Sequence, residues 1–176
     1  YHQGQKIEKF FQCENNTKKI CSKIINVQPN FFEVIKNFDT SAYGEIYLLS
    51  FKMFLDNPIT GIGINNFKYL CNYNELYKNM MVNYDCASHP HNIYIQWLTE
   101  GGLIVFISFI LYLFFLVKFV INNTADKKYK IISIVIILMM FWPIMSTGSL
   151  IKNWFGVTTF FIIGLCMCLS KFKNNY

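Results

Sequence analysis

The sequence predicts an all-α integral membrane protein: the carboxyl-terminal fragment of a multi-pass helical bundle, preceded by a long periplasmic segment. Three observations carry this. Leu103 to Ile121 is an unbroken apolar run of nineteen residues whose one charge, Lys118, lies near its end, where the stem can snorkel. Two further apolar runs follow, about 131–147 and 150–170, the first broken by Pro143 and closed by Gly148. The lysines between and after the runs are placed asymmetrically.

Orientation follows from that asymmetry. Lys127, Lys128 and Lys130 lie between the first and second runs and Lys171 and Lys173 after the third, whereas the turn from Ser146 to Ser149 is uncharged. Positive charge marks the cytoplasmic side, so three spans (about 93–121, 131–147 and 150–170) leave residues 1–92 outside and 171–176 as a cytoplasmic tail. That outer segment holds nine Lys against eight Asp and Glu and is nearly neutral, so its length does not oppose the assignment. The opening YHQGQKIEKFF has neither an initiator Met nor a basic-then-apolar leader, so further spans are expected upstream.

Composition narrows the function classes. A net charge of +6 invites a nucleic-acid reading, but all 16 basic residues are lysines, and the bidentate base- and phosphate-reading side chain is absent. Nucleic acid is therefore not an expected partner; membrane lipid is.

Within the outer segment, residues 1–42 are mixed, with short helices expected near Gln3–Phe11 and Phe31–Phe38. From Tyr43 to Asp56 a helix is predicted in which Glu45, Lys52 and Asp56 form a narrow polar line among apolar positions, suited to a membrane surface or a bundle, and Asn57-Pro58 stops it. Gly61 and Gly63 permit either a tight structural turn or amides presented to an anion. The next stretch is rich in Tyr and Asn, side chains that stack on and hydrogen-bond to sugars. It is bracketed by Cys71 and Cys86, a pair that closes a disulfide loop of convenient size in an oxidising compartment, and Cys13 with Cys21 is a second candidate pair.

The densest chemistry reads CASHPHNIYIQWLTEGG. Ser88 or His89 is expected to cap a helix with Pro90 at its first position. Asn92, Gln96, Thr99 and Glu100 then fall on one side, a polar stripe too costly to present to lipid, which requires a cavity or other helices. His89 and His91 lack a third ligand at a useful interval, so no metal is expected. A helix amino terminus disfavours imidazolium, so a neutral hydrogen-bonding or proton-accepting role suits them.

Taken together, Asp56-Asn57-Pro58 with Gly61-Ile62-Gly63, then Ser88-His89-Pro90-His91-Asn92, then Glu100-Gly101-Gly102 and the following span resemble the carboxyl-terminal half of the O-antigen ligase and polymerase superfamily. Ser146-Thr147-Gly148-Ser149 with Asn153-Trp154 is similar to that family's last outward turn, and the resemblance spans roughly residues 40–170. It implies a bacterial inner-membrane glycosyltransferase that takes an undecaprenyl-diphosphate-linked glycan as donor. The acceptor is lipid A-core for a ligase, or another lipid-linked glycan for a polymerase, and no cofactor is used. His91 corresponds to the family's reactive histidine, with His89 and Glu100 as further catalytic candidates and Asn92, Gln96, Gly61 and Gly63 as substrate contacts. The family's outer-loop arginines have no counterpart here, which leaves Lys52 and Lys68 as candidate cations. The absent arginine also supports an alternative, a non-catalytic membrane component or transporter of polysaccharide export.

Overall fold

The computed structural model describes residues 6–13, 16–26, 38, 41–82 and 84–171. The chain divides into two units, Tyr1–Ser41 and Ala42–Tyr176. In the first, β1 (Lys6–Cys13) and β2 (Asn16–Asn26) form an antiparallel hairpin that pairs Ile7 with Ile25 and Phe11 with Cys21. From Lys6 on, a strand therefore replaces the helix expected over Gln3–Phe11, whose first three residues lie outside the described residues. The Ile- and Thr-containing run of β2 suits a pleated ladder, and pairing with a distant strand is invisible to a search for a local period. The helix expected over Phe31–Phe38 lies, apart from Phe38, outside the described residues, as do the side chains of Cys13 and Cys21 and the tail after Lys171.

The second unit is helical. Its first helix, α1 (Ala42–Asp56), buries Ile46, Leu49, Ser50 and Met53, one face at helical spacing, together with Gly44 and Glu45. Its other side leaves Leu48, Phe51 and Leu55 exposed. Two short helices follow, α2 (Phe67–Tyr73) and α3 (Glu75–Lys78), and Asn74 between them caps α3 by accepting from the Leu76 amide at 3.0 Å. Phe67, Cys71 and Tyr77 pack with Ile46, Leu49 and Met53 into a small core. A disulfide from Cys71 to Cys86, with α-carbons 5.9 Å apart, holds the end of this loop against that core.

The long helix α4 (Ile93–Asn123) is interrupted at Gly102, where φ is 64° and ψ −166°. A break in a helix orphans backbone groups on both sides, and here the loop after α1 takes them up. The Leu103 amide donates to Pro58 O at 2.9 Å and the Ile104 amide to Ile59 O at 3.4 Å. The freed carbonyls of Thr99 and Glu100 accept from Ile62 N at 3.0 Å and Gly63 N at 2.9 Å. The Pro58–Gly63 loop and the Glu100-Gly101-Gly102 break thus form one interlocked unit.

After α4 come α5 (Lys127–Met140), whose first turn is capped by Asp126 accepting from Lys128 N at 2.7 Å, and α6 (Asn153–Lys171). Ile93, Phe109, Leu116, Val120, Ile137, Phe141 and Ile163 form the core these three helices share. Among the described residues α4 is the one helix long and apolar enough to cross a bilayer, with a mean hydropathy of 2.8, and α6 holds a shorter apolar run, Trp154–Leu169. The expected run 131–147 is not helical throughout: α5 stops at Met140, because Pro143 lacks an amide and disfavours helical backbone at Trp142. The chain from Phe141 to Lys152 instead runs past the head of α4.

Candidate functional site

That irregular segment and the head of α4 enclose a cavity of about 410 Å³, walled by Ser88, His89, His91, the strip Ser146–Ser149, Lys152, Trp154 and Phe155. Its near wall begins with an unusual backbone. His91 has φ 56°, in the left-handed region that His tolerates better than most side chains. Its carbonyl accepts from the Thr147 amide at 2.8 Å, which ties the two walls together. The helix consequently starts later than expected. Asn92, not Ser88 or His89, is the cap, accepting from Tyr94 N at 3.0 Å and Ile95 N at 3.2 Å, and Pro90 lies ahead of the helix.

Asn92 works at both ends, since its Nδ2 donates to Pro143 O at 2.7 Å and so fixes the returning strand. Tyr94 adds a donation to Phe141 O at 2.7 Å. The whole polar stripe is buried: Asn92, Gln96, Thr99 and Glu100 are 4%, 3%, 1% and 1% exposed. Thr99 donates to Ser50 O on α1 at 3.2 Å. Gln96 donates to Glu100 Oε2 at 3.0 Å and to Ser149 Oγ at 2.8 Å, while Glu100 Oε1 is buried without a hydrogen-bond partner among the described residues.

The two histidines, with ring centroids 4.3 Å apart, are differently employed. His89 Nε2 lies 3.3 Å from Thr147 O, which only accepts, so this nitrogen carries the proton; Nδ1, 2.9 Å from Ser88 Oγ, is then the acceptor. Both of its nitrogens are engaged. Neither ring nitrogen of His91 has a hydrogen-bond partner among the described residues, and its ring meets Tyr43 edge-on at 6.1 Å. Burial lowers the pKa of both below the ordinary histidine range, and for His89 the neighbouring His91 and Lys152 add to the lowering while its bond to Thr147 O opposes it. Both are neutral near pH 7.

Lys152 supplies the cation. Its Nζ donates to Ser88 O at 3.2 Å, leaving two further N–H groups, and among the described residues no carboxylate lines the cavity. The other candidate residues sit elsewhere. Lys52 pairs with Asp56 at 2.5 Å, and Lys68 is exposed on α2. Gly61 N donates to Asn57 O at 2.9 Å within its own turn and Gly63 N to Glu100 O across the interlock, so both amides are engaged rather than offered to an anion. Glu100 stands behind Gln96, outside the cavity wall. Lys152, Thr147 and Ser149 were the residues to add; the likeness of Ser146–Ser149 to an outward turn was the available signal.

The O-antigen ligase family model matches residues 15–110. This chain belongs to that family. No curated protein and no solved structure matches it. Membership carries a membrane setting and, at a coarse level, ligase- or polymerase-type glycosyl transfer using lipid-linked glycans. The matched region contains His89, His91, Asn92, Gln96 and Glu100, so it covers one wall of the cavity; the wall from Ser146 to Phe155 lies beyond it.

Proposed function

We propose that the protein transfers or polymerises an undecaprenyl-diphosphate-linked oligosaccharide at the periplasmic face of a bacterial inner membrane, in the assembly of O-antigen or another surface polysaccharide. The observation that carries this reading is the pairing, in one cavity that no carboxylate lines among the described residues, of a neutral His91 whose ring nitrogens have no partner among those residues and a Lys152 with N–H groups to spare. The anion belongs near Lys152 and the start of α6, where charge and helix-end amides favour phosphate oxygens. An acceptor sugar hydroxyl attacks the anomeric carbon of the donor with inversion. His91 takes its proton as the new C–O bond forms, while the bond to the diphosphate breaks and the lipid diphosphate leaves. His89 holds the wall; Glu100 acts through Gln96.

The membrane setting has support in lengths. The part of α4 after Gly102 is about 30 Å long, a hydrocarbon thickness, so the stripe-bearing first ten or so residues stand at the outer mouth. The α5 helix, at about 20 Å, is too short to cross alone, and the irregular strip 141–149 completes the passage. Such backbone is tolerated at membrane depth where it lines a cavity and its carbonyls are bonded, as Asn92 and Tyr94 do here. With Lys127, Lys128 and Lys130 inside, the strip lies outside.

The test is surface glycan from cells carrying the whole protein with His91→Asn, a residue that tolerates the same backbone. Loss of polymer-length ladders with one repeat retained identifies a polymerase; loss of all attached glycan with lipid-linked polymer retained identifies a ligase. Unchanged glycan removes His91 from the chemistry and favours a non-catalytic export component.

A further inference from the structure

The far wall of the cavity contains hydroxyls whose hydrogen-bond accounts do not balance. Ser149, 2% exposed, accepts from Gln96 Nε2 at 2.8 Å and from Ile151 N at 3.3 Å. A hydroxyl has two acceptor sites and one proton, so both acceptor sites are filled and the O–H can only donate. Gln96 cannot release it, because the second amide proton of Gln96 goes to Glu100 Oε2 at 3.0 Å. Thr147, 4% exposed, uses its amide on His91 O and its carbonyl on His89, yet its Oγ1 is buried with no hydrogen-bond partner among the described residues. A buried hydroxyl left unmade costs about 1–3 kcal/mol, and such a cost is met where a ligand supplies the missing atom. Thr147 and Ser149 are two residues apart on the non-helical chain that forms this wall. Both line the cavity beside Lys152, and among the described residues no carboxylate there competes as an acceptor.

We infer that Thr147 and Ser149 form a paired hydroxyl grip that donates to the oxygens of one phosphate of the substrate's diphosphate, with Gln96, anchored by Glu100, as the positioning residue that forces Ser149 into the donor role. This rests on the reading of the cavity as the diphosphate site. Phosphate is the acceptor that suits it: each phosphate oxygen accepts several bonds, and donation to a charged oxygen is stronger than donation to a sugar hydroxyl.

The experiment is calorimetric binding of farnesyl diphosphate, with farnesol as the uncharged control, to the whole detergent-solubilised protein. Wild type prefers the diphosphate. Ser149→Ala and the near-isosteric Thr147→Val each reduce that preference about tenfold, the scale of one hydrogen bond to a charged group, with farnesol binding unchanged. Ser149→Thr, which keeps the hydroxyl, restores most of it. Gln96→Met lowers the preference when Ser149 is present and has no further effect in Ser149→Ala, whereas a disturbance of packing alone would add in both backgrounds. If Ser149→Ala and Thr147→Val retain the full preference, the grip is wrong and the cavity reading stands. If the Gln96→Met loss is additive, Gln96 is not the positioning residue. A wild type that does not distinguish farnesyl diphosphate from farnesol overturns the cavity reading and the grip together.

Discussion

Gly61 and Gly102 share one space: a β-carbon on Gly61 would stand 2.5 Å from the amide nitrogen of Gly102, and one on Gly102 would collide with the carbonyl of Ile59. Both have positive φ, 67° and 64°. An alanine at either position therefore meets a backbone collision that no side-chain movement relieves, in addition to the left-handed penalty of about 1–2 kcal/mol. The bonds that replace the broken helix ladder are lost with it, at about 1 kcal/mol each. Gly61→Ala and Gly102→Ala are expected to destabilise the protein by about 3 kcal/mol or more. Gly164→Ala, where a β-carbon meets nothing within 4 Å, is expected to be neutral or slightly stabilising. Thermal denaturation followed by size-exclusion chromatography in detergent separates the two outcomes.

His91 and His89 make transfer and stability depend on pH in the same direction. Because burial lowers both folded-state values, the base form of His91 persists below the ordinary histidine pKa of about 6.5. The rate of glycan transfer by reconstituted protein is expected to be flat from neutrality down to about that pH, with its acid limb below it. In the window between the lowered folded value and about 6.5 the unfolded chain binds more protons than the folded one, so stability rises with pH there. It is fully present above 6.5 or so and declines as pH falls through that window. An acid limb centred above the ordinary histidine value would show that burial does not set the pKa of the base, against the lowering argued for His91.

The Cys71–Cys86 disulfide closes a loop with a sequence separation of 15. Cross-links over loops of this size restrict the unfolded chain by about 3 kcal/mol. Reduction, or Cys71→Ser with Cys86→Ser, is expected to open the loop between them to proteolysis. The thermal midpoint should fall by several degrees, as is typical of such a loss in a chain of roughly this size. Equal protease sensitivity with and without reductant would mean that the packing of Phe67, Cys71 and Tyr77 against α1 suffices to hold the loop.

What was legible in the sequence was whatever a single helix encodes by itself. Asn92, Gln96, Thr99 and Glu100 share a face by spacing alone, and their cost in lipid demanded a partner whatever that partner was. The identity of the partner was not legible, because Pro143 to Ser149 is brought to the head of α4 by tertiary bonds. The helix cap was misassigned for the same reason: the positive φ of His91 depends on a bond from Thr147, which no local pattern announces. Gly61 and Gly63 offered a turn or an anion nest, and the choice between them required knowing that α4 breaks nearby. Charge alone does not say which lysines are paired. Lys52 is taken by Asp56, one turn later, while the fold sets Lys152 beside His89.

The two ends of α5 provide the sharpest test of how the chain sits in a membrane. Ala125, ahead of α5 and beside Lys127 and Lys128, and Ser146, in the cavity strip, are both exposed. If the lysine-rich end is cytoplasmic, a cysteine at 125 in intact cells reacts with a membrane-permeant maleimide and is not blocked by an impermeant one, and a cysteine at 146 is blocked by both. Cys13, Cys21, Cys166 and Cys168 are replaced by Ser beforehand, and Cys71 and Cys86 are left paired. Blocking of both positions by the impermeant reagent would put the two ends of α5 on one side. That result would make α5 with its irregular extension a re-entrant element and would reverse the side assigned to the end of α4. The cavity would survive it, since Asn92, His91 and Gln96 bind the strip directly; the crossing built from α5 and the strip would not.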